Sequence, residues 1–470
     1  MTRTHRPAAD PRRLVPWSCD TFAVQAEHSA MGGTLLAKNS DRPARECQPL
    51  HHLGARRGDE KIRLAYVEIA DVPETIPHLG SSPYWCWGHE LGLNAHGVGI
   101  GNEAIFTRGL AENARRHRHG EHVEPGILGM ELVRLGLERG DSAAATLEVM
   151  TGLVERHGQW GAGTRGDDRA AAAYDNSYLV ADASEIWVLE TTGRQWAAKK
   201  VEQPTWSLSN EPTLRDDWTL CAADLADTAV RNGWWSPEPR LDFAAAVTDP
   251  DVPLQVSHMR LQRSRTLLAE CLGQGKVGCD QARMILSDHF EDSFLQGPTF
   301  NPARPDFLTL CMHESPAGFT WGNTAASSIM VSPRLGPPLM WWAPATPCTS
   351  VYVPVTVQDA GVPETLSRAG TAHATGPSPE DAVQDGPADA SYWWRFQRLL
   401  ETVNGDELGR AYQERQPLVR AVLDGLQADF VRDADALLGS GATAADWADL
   451  TAACVERAAV TAEQLTRDLD

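Results

Sequence analysis

Ser18-Cys19-Asp20-Thr21-Phe22, a turn at Gly32-Gly33, and then Leu35-Leu36-Ala37-Lys38-Asn39-Ser40-Asp41-Arg42-Pro43 form the stretch on which the reading of the fold depends. Two short strands joined by that turn bring Lys38 and Asp41 back towards Cys19. A thiol beside a cation ionises more readily, as a nucleophile requires.

Outward from this hairpin, residues 19 to 105 alternate short apolar stretches with Gly, Pro or Asn punctuation. Leu64-Ala65-Tyr66-Val67-Glu68-Ile69 and Gly97-Val98-Gly99-Ile100-Gly101 read as strands and tight turns. Arg115 to His122 reads as a solvated loop. Two helices follow: Leu128, Leu132 and Leu135 mark the first. The second carries Ala143, Leu147, Met150 and Val154 behind a cap at Asp141 or Ser142. Tyr178 to Val180 and Glu185 to Leu189 read as a hairpin.

A helical region around Met259 to Leu272 precedes strand-like stretches at Leu308 to His313, Ala325 to Val331, Leu339 to Trp342 and Val351 to Val355. Strands, then helices, then strands again predict a layered α+β plan. The Pro-, Gly- and acid-rich run from Gln358 to Ala390 reads as an exposed loop or linker. Val419, Val422, Leu423, Leu426 and Phe430 mark one later amphipathic helix, and Trp447, Leu450 and Cys454 open another. These predict a C-terminal helical cap, because their apolar faces need a partner surface.

The chain has 470 residues and carries 42 Lys plus Arg against 63 Asp plus Glu, a net charge of −21 that argues against nucleic-acid and anionic-membrane partners. There is no apolar run of a length suggesting a signal h-region or a membrane span, so a cytoplasmic location is expected. The nine scattered cysteines include no C-x-x-C pair, which suits free thiols in a reducing compartment and removes the usual zinc spacings. Gly273-Gln274-Gly275-Lys276 and Gly97-x-Gly-x-Gly101 lack the phosphate-loop and dinucleotide patterns. No metal or organic cofactor is expected.

The hairpin motif resembles that of secernins and related cysteine dipeptidases, within the wider group of N-terminal-nucleophile hydrolases that includes bile-salt hydrolases and penicillin acylases. The likeness continues through Trp85-Cys86-Trp87-Gly88-His89-Glu90-Leu91-Gly92, Asn94 to Ala104, Gly129 to Arg139, Asn176 to Asp182, Trp187 to Thr191, Gly193 to Ala198 and Ser207 to Pro212. A later match falls at Cys311-Met312-His313, so the resemblance covers most of residues 18 to 355. It implies a four-layer αββα sandwich over residues 19–357 behind a leader at 1–18, while the loop at 358–390 and the helical extension at 391–470 are specific to this chain.

The resemblance also implies roles. Cys19 is the nucleophile, its freed α-amine being the base, since such an amine titrates near pH ~7.7 to 8.0. Asp41 holds that amine, and Lys38 supplies positive charge beside the thiolate where acylase relatives carry Arg. Asn102 and Asn210 bind the tetrahedral oxyanion. Acylase relatives carry a further arginine near Arg263 and Arg265, but the register there is not readable and neither joins the expected site. Trp85 and Trp87 are read as packing.

The expected activity is hydrolysis of a small peptide through a thioester on Cys19, after self-removal of the leader between Ser18 and Cys19. An acylase acting on non-peptide N-acyl amides and a non-catalytic secernin-like binding protein are the alternatives. Monomer and homo-oligomer both remain open.

Overall fold

The computed structural model describes residues 18–166, 168–253, 255–296, 299–305, 307–314, 320, 322–357, 361–372 and 378–470. Apart from Ser18, the expected leader lies outside the described residues. In chain order the strands are β1 (Cys19–Val24), β2 (Gly33–Pro43), β3 (Leu50–Leu53), β4 (Lys61–Arg63), β5 (Glu68–Ala70), β6 (His78–Ser81), β7 (Leu91–Asn94) and β8 (Gly99–Ile105). They continue with β9 (Asp175–Ala181), β10 (Ile186–Thr192), β11 (Gln195–Lys200), β12 (Thr205–Leu208), β13 (Leu220–Cys221), β14 (Gly322–Pro333), β15 (Leu339–Pro344) and β16 (Val353–Thr356).

The helices are α1 (Arg108–Arg118), α2 (Gly129–Arg139), α3 (Ala143–His157), α4 (Arg169–Ala172), α5 (Leu225–Arg231) and α6 (Phe243–Val247). After them come α7 (Gln255–Gln274), α8 (Cys279–Leu286), α9 (Glu364–Ser367), α10 (Tyr392–Asn404), α11 (Tyr412–Ser440) and α12 (Ala444–Leu469).

One six-stranded sheet runs in the order β12-β1-β2-β14-β15-β16, and an eight-stranded sheet in the order β13-β11-β10-β9-β8-β7-β6-β3. β1, β2, β12 and β14 lie against β7, β8 and β9 across the interior. Helices α2 and α3 cover the outer face of the eight-stranded sheet, whereas α7, α8, α10 and α12 pack on the six-stranded one. The result is the α+β sandwich of four layers, α, β, β, α.

Both faces of each central strand are therefore buried, and one apolar cluster runs through all layers, from Leu132 and Ile100 through Leu36 and Met330 to Phe396 and Leu423. Each such side chain contributes about 1.5–3 kcal/mol by leaving water. Local signals agree with the layers: Ser142 caps α3 by accepting the Ala145 N–H, and Thr443 with Asp446 forms a capping box on α12. The C-terminal helices are pinned to the sheet edge by Gln427, which pairs with both the N–H and the carbonyl of Tyr352. Thr451 bonds the Pro354 carbonyl in the same region. Among the described residues no helix is long and apolar enough to cross a membrane.

Four local expectations differ from the structure. Leu64 to Val67 is a turn between β4 and β5, closed by Leu64 N–H on the Val67 carbonyl. The first half of the Arg115 to His122 loop is the end of α1, held by its buried Leu110 and Ala114 face and its Thr107 cap. Leu308 to His313 is irregular, because its polar backbone groups bond Asn39, Asp288 and Thr324 instead of a neighbouring strand. The segment after Gln358 is in part packed: Leu366 is buried, and Asp385 accepts from Gly370, Ala372 and Trp394.

Candidate active site

β1 pairs with β2 in the register Cys19↔Ser40 and Thr21↔Lys38. Cys19 therefore opens its strand directly beside the Lys38-Asn39-Ser40-Asp41 run. The Asp41 N–H points at Cys19 Sγ at 3.4 Å, while the Cys19 N–H donates to Asn210 Oδ1 at 2.9 Å. Arg260, from α7, donates to the Cys19 carbonyl at 2.9 Å, to Asp20 Oδ2 at 2.5 Å and to Asn210 Oδ1 at 2.8 Å. Asn210 Nδ2 donates in turn to the Ala104 carbonyl at 2.8 Å. A main-chain N–H and a guanidinium can only donate, so this network fixes which end of the Asn210 amide is oxygen.

Lys38 reaches across the interior from β2 to β8. Its ammonium bonds the Asn102 carbonyl and lies 3.5 Å from Glu103 Oε1. Gly101 makes the crossing possible: a Cβ there would stand 3.0 Å from Lys38 Cδ and 3.2 Å from Thr21 Cγ2. Thr21 Oγ1 also donates to Glu103 Oε1.

Burial governs the protonation of these groups. It pushes the Cys19 thiol well above its usual range, with Lys38 pulling the other way. It raises Glu103 to about 8 against the opposing pull of Lys38, and Asp20 to about 7 against that of Arg260. Asp41 is also raised by burial, opposed by Arg260 and by the Thr324 hydroxyl that bonds its Oδ1 at 2.7 Å. Burial works against the charge on Lys38, and the Coulombic pull of Cys19 and Glu103 in their ionised forms raises its pKa overall.

The structure brings Cys19, Lys38, Asp41 and Asn210 together, and Asn102 only through its main chain. Gly101 and Glu103 face Lys38 and Thr21, so strand alternation turns the Asn102 side chain to the helix-covered face. There its Nδ2 donates to Asn176 Oδ1 at 3.0 Å, and Asn176 continues to Gln159 at 2.7 Å. This corrects the reading of Asn102 as a side chain beside the thiol. The orientation of Asn210 also differs from that of an oxyanion donor: its oxygen, not its nitrogen, faces Cys19.

Sequence reasoning missed Arg260 and Glu103. Arg260 lies one helical turn before Arg263, which instead binds Asp288 at 2.6 and 2.9 Å. With arginines at 260, 263 and 265, only the packed face of α7 selects the buried one. Glu103 was legible from the two-residue period that starts at Gly101. Trp85 is buried with its indole N–H on Glu46, and Trp87 stacks under Arg134, so both pack. Cys311 lies elsewhere, in a buried group with His289, His313 and Cys348.

Four layers with a cysteine opening an inner strand, its thiol and main-chain N–H both held at the strand end, are the arrangement that the resemblance to N-terminal-nucleophile hydrolases implies. Residues 18–215 match the model of peptidase family C69. That stretch is similar to the family its motifs resemble, and the likeness supports amide hydrolysis as the coarse activity.

Solved structures similar to this chain include penicillin V acylase from Agrobacterium tumefaciens, at 10% identity over 73% of this chain and 87% of that one, with a TM-score of 0.37. A mutant of conjugated bile acid hydrolase from Clostridium perfringens is 12% identical over 69% and 89%, with a TM-score of 0.38. A Caenorhabditis elegans ortholog of N-acylethanolamine-hydrolyzing acid amidase is 11% identical over 67% and 93%, with a TM-score of 0.33.

Proposed function

We propose that the chain is a cysteine amide hydrolase of dipeptidase type, with Cys19 as nucleophile and its own α-amine as base once the leader is cut away. The observation that carries this reading is the Cys19 environment: Asp41 N–H on the thiol, Asn210 on the main-chain nitrogen and the charged Lys38 in the same buried pocket. While Ser18 is attached, that nitrogen is an amide and cannot take a proton, and burial keeps the thiol protonated. Cleavage supplies the missing base. The Cys19 thiol attacks the Ser18 carbonyl, the Ser18–Cys19 C–N bond breaks as the acyl group moves to sulfur, and water releases the leader as a carboxylic acid.

The same thiol then attacks a substrate amide. The leaving amine takes the proton the α-amine has accepted from the thiol, and water, deprotonated by the α-amine, hydrolyses the thioester. Ser18 is itself buried, with its hydroxyl on Met312 Sδ. In this reading, losing the leader frees the base and vacates the buried place of Ser18 beside the thiol.

Asn210 is assigned to hold the α-amine through Oδ1, Lys38 to stabilise the thiolate and Asp41 to brace the strand end. A small peptide with a free N-terminus is the preferred substrate, on the strength of the peptidase family match. The deciding experiment compares kcat/KM for a dipeptide panel with that for N-acyl amino acids and a phenoxyacetyl amide. Higher values for the dipeptides are expected; higher values for the acylated compounds would make the chain an acylase.

A further inference from the structure

Away from Cys19, three segments that are neither α-helix nor strand converge on one point. His289 comes from the stretch after α8, Cys311 and His313 from the irregular segment before β14, and Cys348 from the short 3-10 turn Pro347–Thr349 after β15. All four side chains are buried, and one ligand atom from each lies within 4.8 Å of the others.

The spacing is informative. His313 Nε2 stands 3.2 Å from His289 Nε2, 3.3 Å from Cys348 Sγ and 3.7 Å from Cys311 Sγ. One ring nitrogen has a single in-plane direction for a hydrogen bond, and it cannot serve three partners at once. Tetrahedral zinc with ordinary Zn–N and Zn–S bonds places ligand atoms about 3.3 Å apart for two nitrogens and about 3.5 Å apart for nitrogen and sulfur. The observed edges fit that figure.

The surroundings fit as well. His289 Nδ1 pairs with Glu291 Oε1 at 2.8 Å, the outer partner that fixes a histidine with Nε2 free to ligate. The Tyr412 hydroxyl, at the start of α11, donates to Cys348 Sγ at 3.3 Å. Two thiols and two imidazoles, with four protein donors and no position left for water, are the donor set of a structural zinc site.

We infer that His289, Cys311, His313 and Cys348 bind one zinc ion as a closed structural site. Binding releases the two thiol protons, and the two thiolates balance the charge of the ion. The site staples the irregular 307–314 segment to the stretch after α8 and to the turn after β15. The Met312 N–H, between two of the ligands, donates to the Thr324 hydroxyl at 2.9 Å, and that hydroxyl in turn donates to Asp41. The ion therefore acts on the Cys19 pocket by positioning alone. C-x-x-C spacing gave no sign of it because the ligands are spread from residue 289 to residue 348.

The test is metal analysis of the full chain purified anaerobically with zinc available, together with intact mass and cobalt(II) reconstitution after removal of the native metal with a chelator. One zinc per chain is expected, with cobalt giving the intense visible bands of a tetrahedral thiolate site, and both lost in the Cys311→Ser and Cys348→Ser variants but kept in Cys221→Ser. Folded wild type holding less than about a tenth of an equivalent of zinc and giving no cobalt bands would overturn the inference. So would a mass lower by about two units from a Cys311–Cys348 disulfide. If the ligand variants fail to fold, the wild-type metal content and cobalt spectrum still decide. None of these readouts depends on whether Cys19 is the nucleophile.

Discussion

Asn210 Oδ1 accepts the Cys19 main-chain N–H at 2.9 Å and, with the same oxygen, a guanidinium N–H of Arg260 at 2.8 Å. One buried carbonyl oxygen thus orients the nitrogen that the proposed mechanism makes the base. Asn210→Ala should lower kcat/KM by about 10- to 100-fold, the cost of one buried hydrogen bond to a charged group. Steady-state kinetics on the processed variant check this, and a change within about twofold would remove Asn210 from the machinery.

Asn102 makes the opposite prediction. Because its side chain faces the helix layer and Asn176, Asn102→Ala should destabilise the fold by about 1–3 kcal/mol while leaving kcat within about twofold. Urea unfolding and kinetics on the same preparation separate the two effects. A large fall in kcat without loss of stability would restore the oxyanion role read from the sequence.

Arg260 is a fully buried cation on Asp20. Arg260→Met leaves that carboxylate without its guanidinium in the interior and should cost about 3–5 kcal/mol, measured by denaturant unfolding. Arg263→Met should cost less, because the Asp288 pair is nearer the surface.

Glu103 sets a pH dependence. Its folded pKa, raised by burial to about 8 from 4.5, means that the folded chain keeps a proton which the unfolded chain releases. Stability present below pH 4.5 is therefore lost as pH rises towards about 8. Asp20, raised to about 7 from 3.8, has the same sign. Melting temperatures should fall from pH 5 to pH 8.5, and Glu103→Gln, which mimics the protonated form, should flatten the upper part of that fall. An unchanged slope in the variant would show that Glu103 is ionised in the fold.

How much of this was legible follows from what each signal reports. Cys19, Lys38 and Asp41 were readable because β1 and β2 are consecutive strands that pair antiparallel across the short Gln25 to Gly32 connection. The amphipathic helices α2, α3, α11 and α12 were readable from period alone. The face of Asn102 follows from the period-two alternation that starts at Gly101, whereas the family motif carries residue type and not direction. Arg260 was unreadable because three arginines crowd one helix and only tertiary packing selects among them. His289 and Cys348 were unreadable as partners of Cys311 and His313, because segments far apart in the chain meet only when both sheets are assembled.

Intact mass and N-terminal analysis of wild type beside Cys19→Ala test the central claim most directly, because nucleophile, base and maturation all rest on one residue. Wild type should begin at Cys19 and turn over an amide substrate, whereas Cys19→Ala should keep residues 1 to 18 and be inactive. Fully active wild-type enzyme that retains the whole leader would show that the Cys19 α-amine is not the base and would contradict the mechanism.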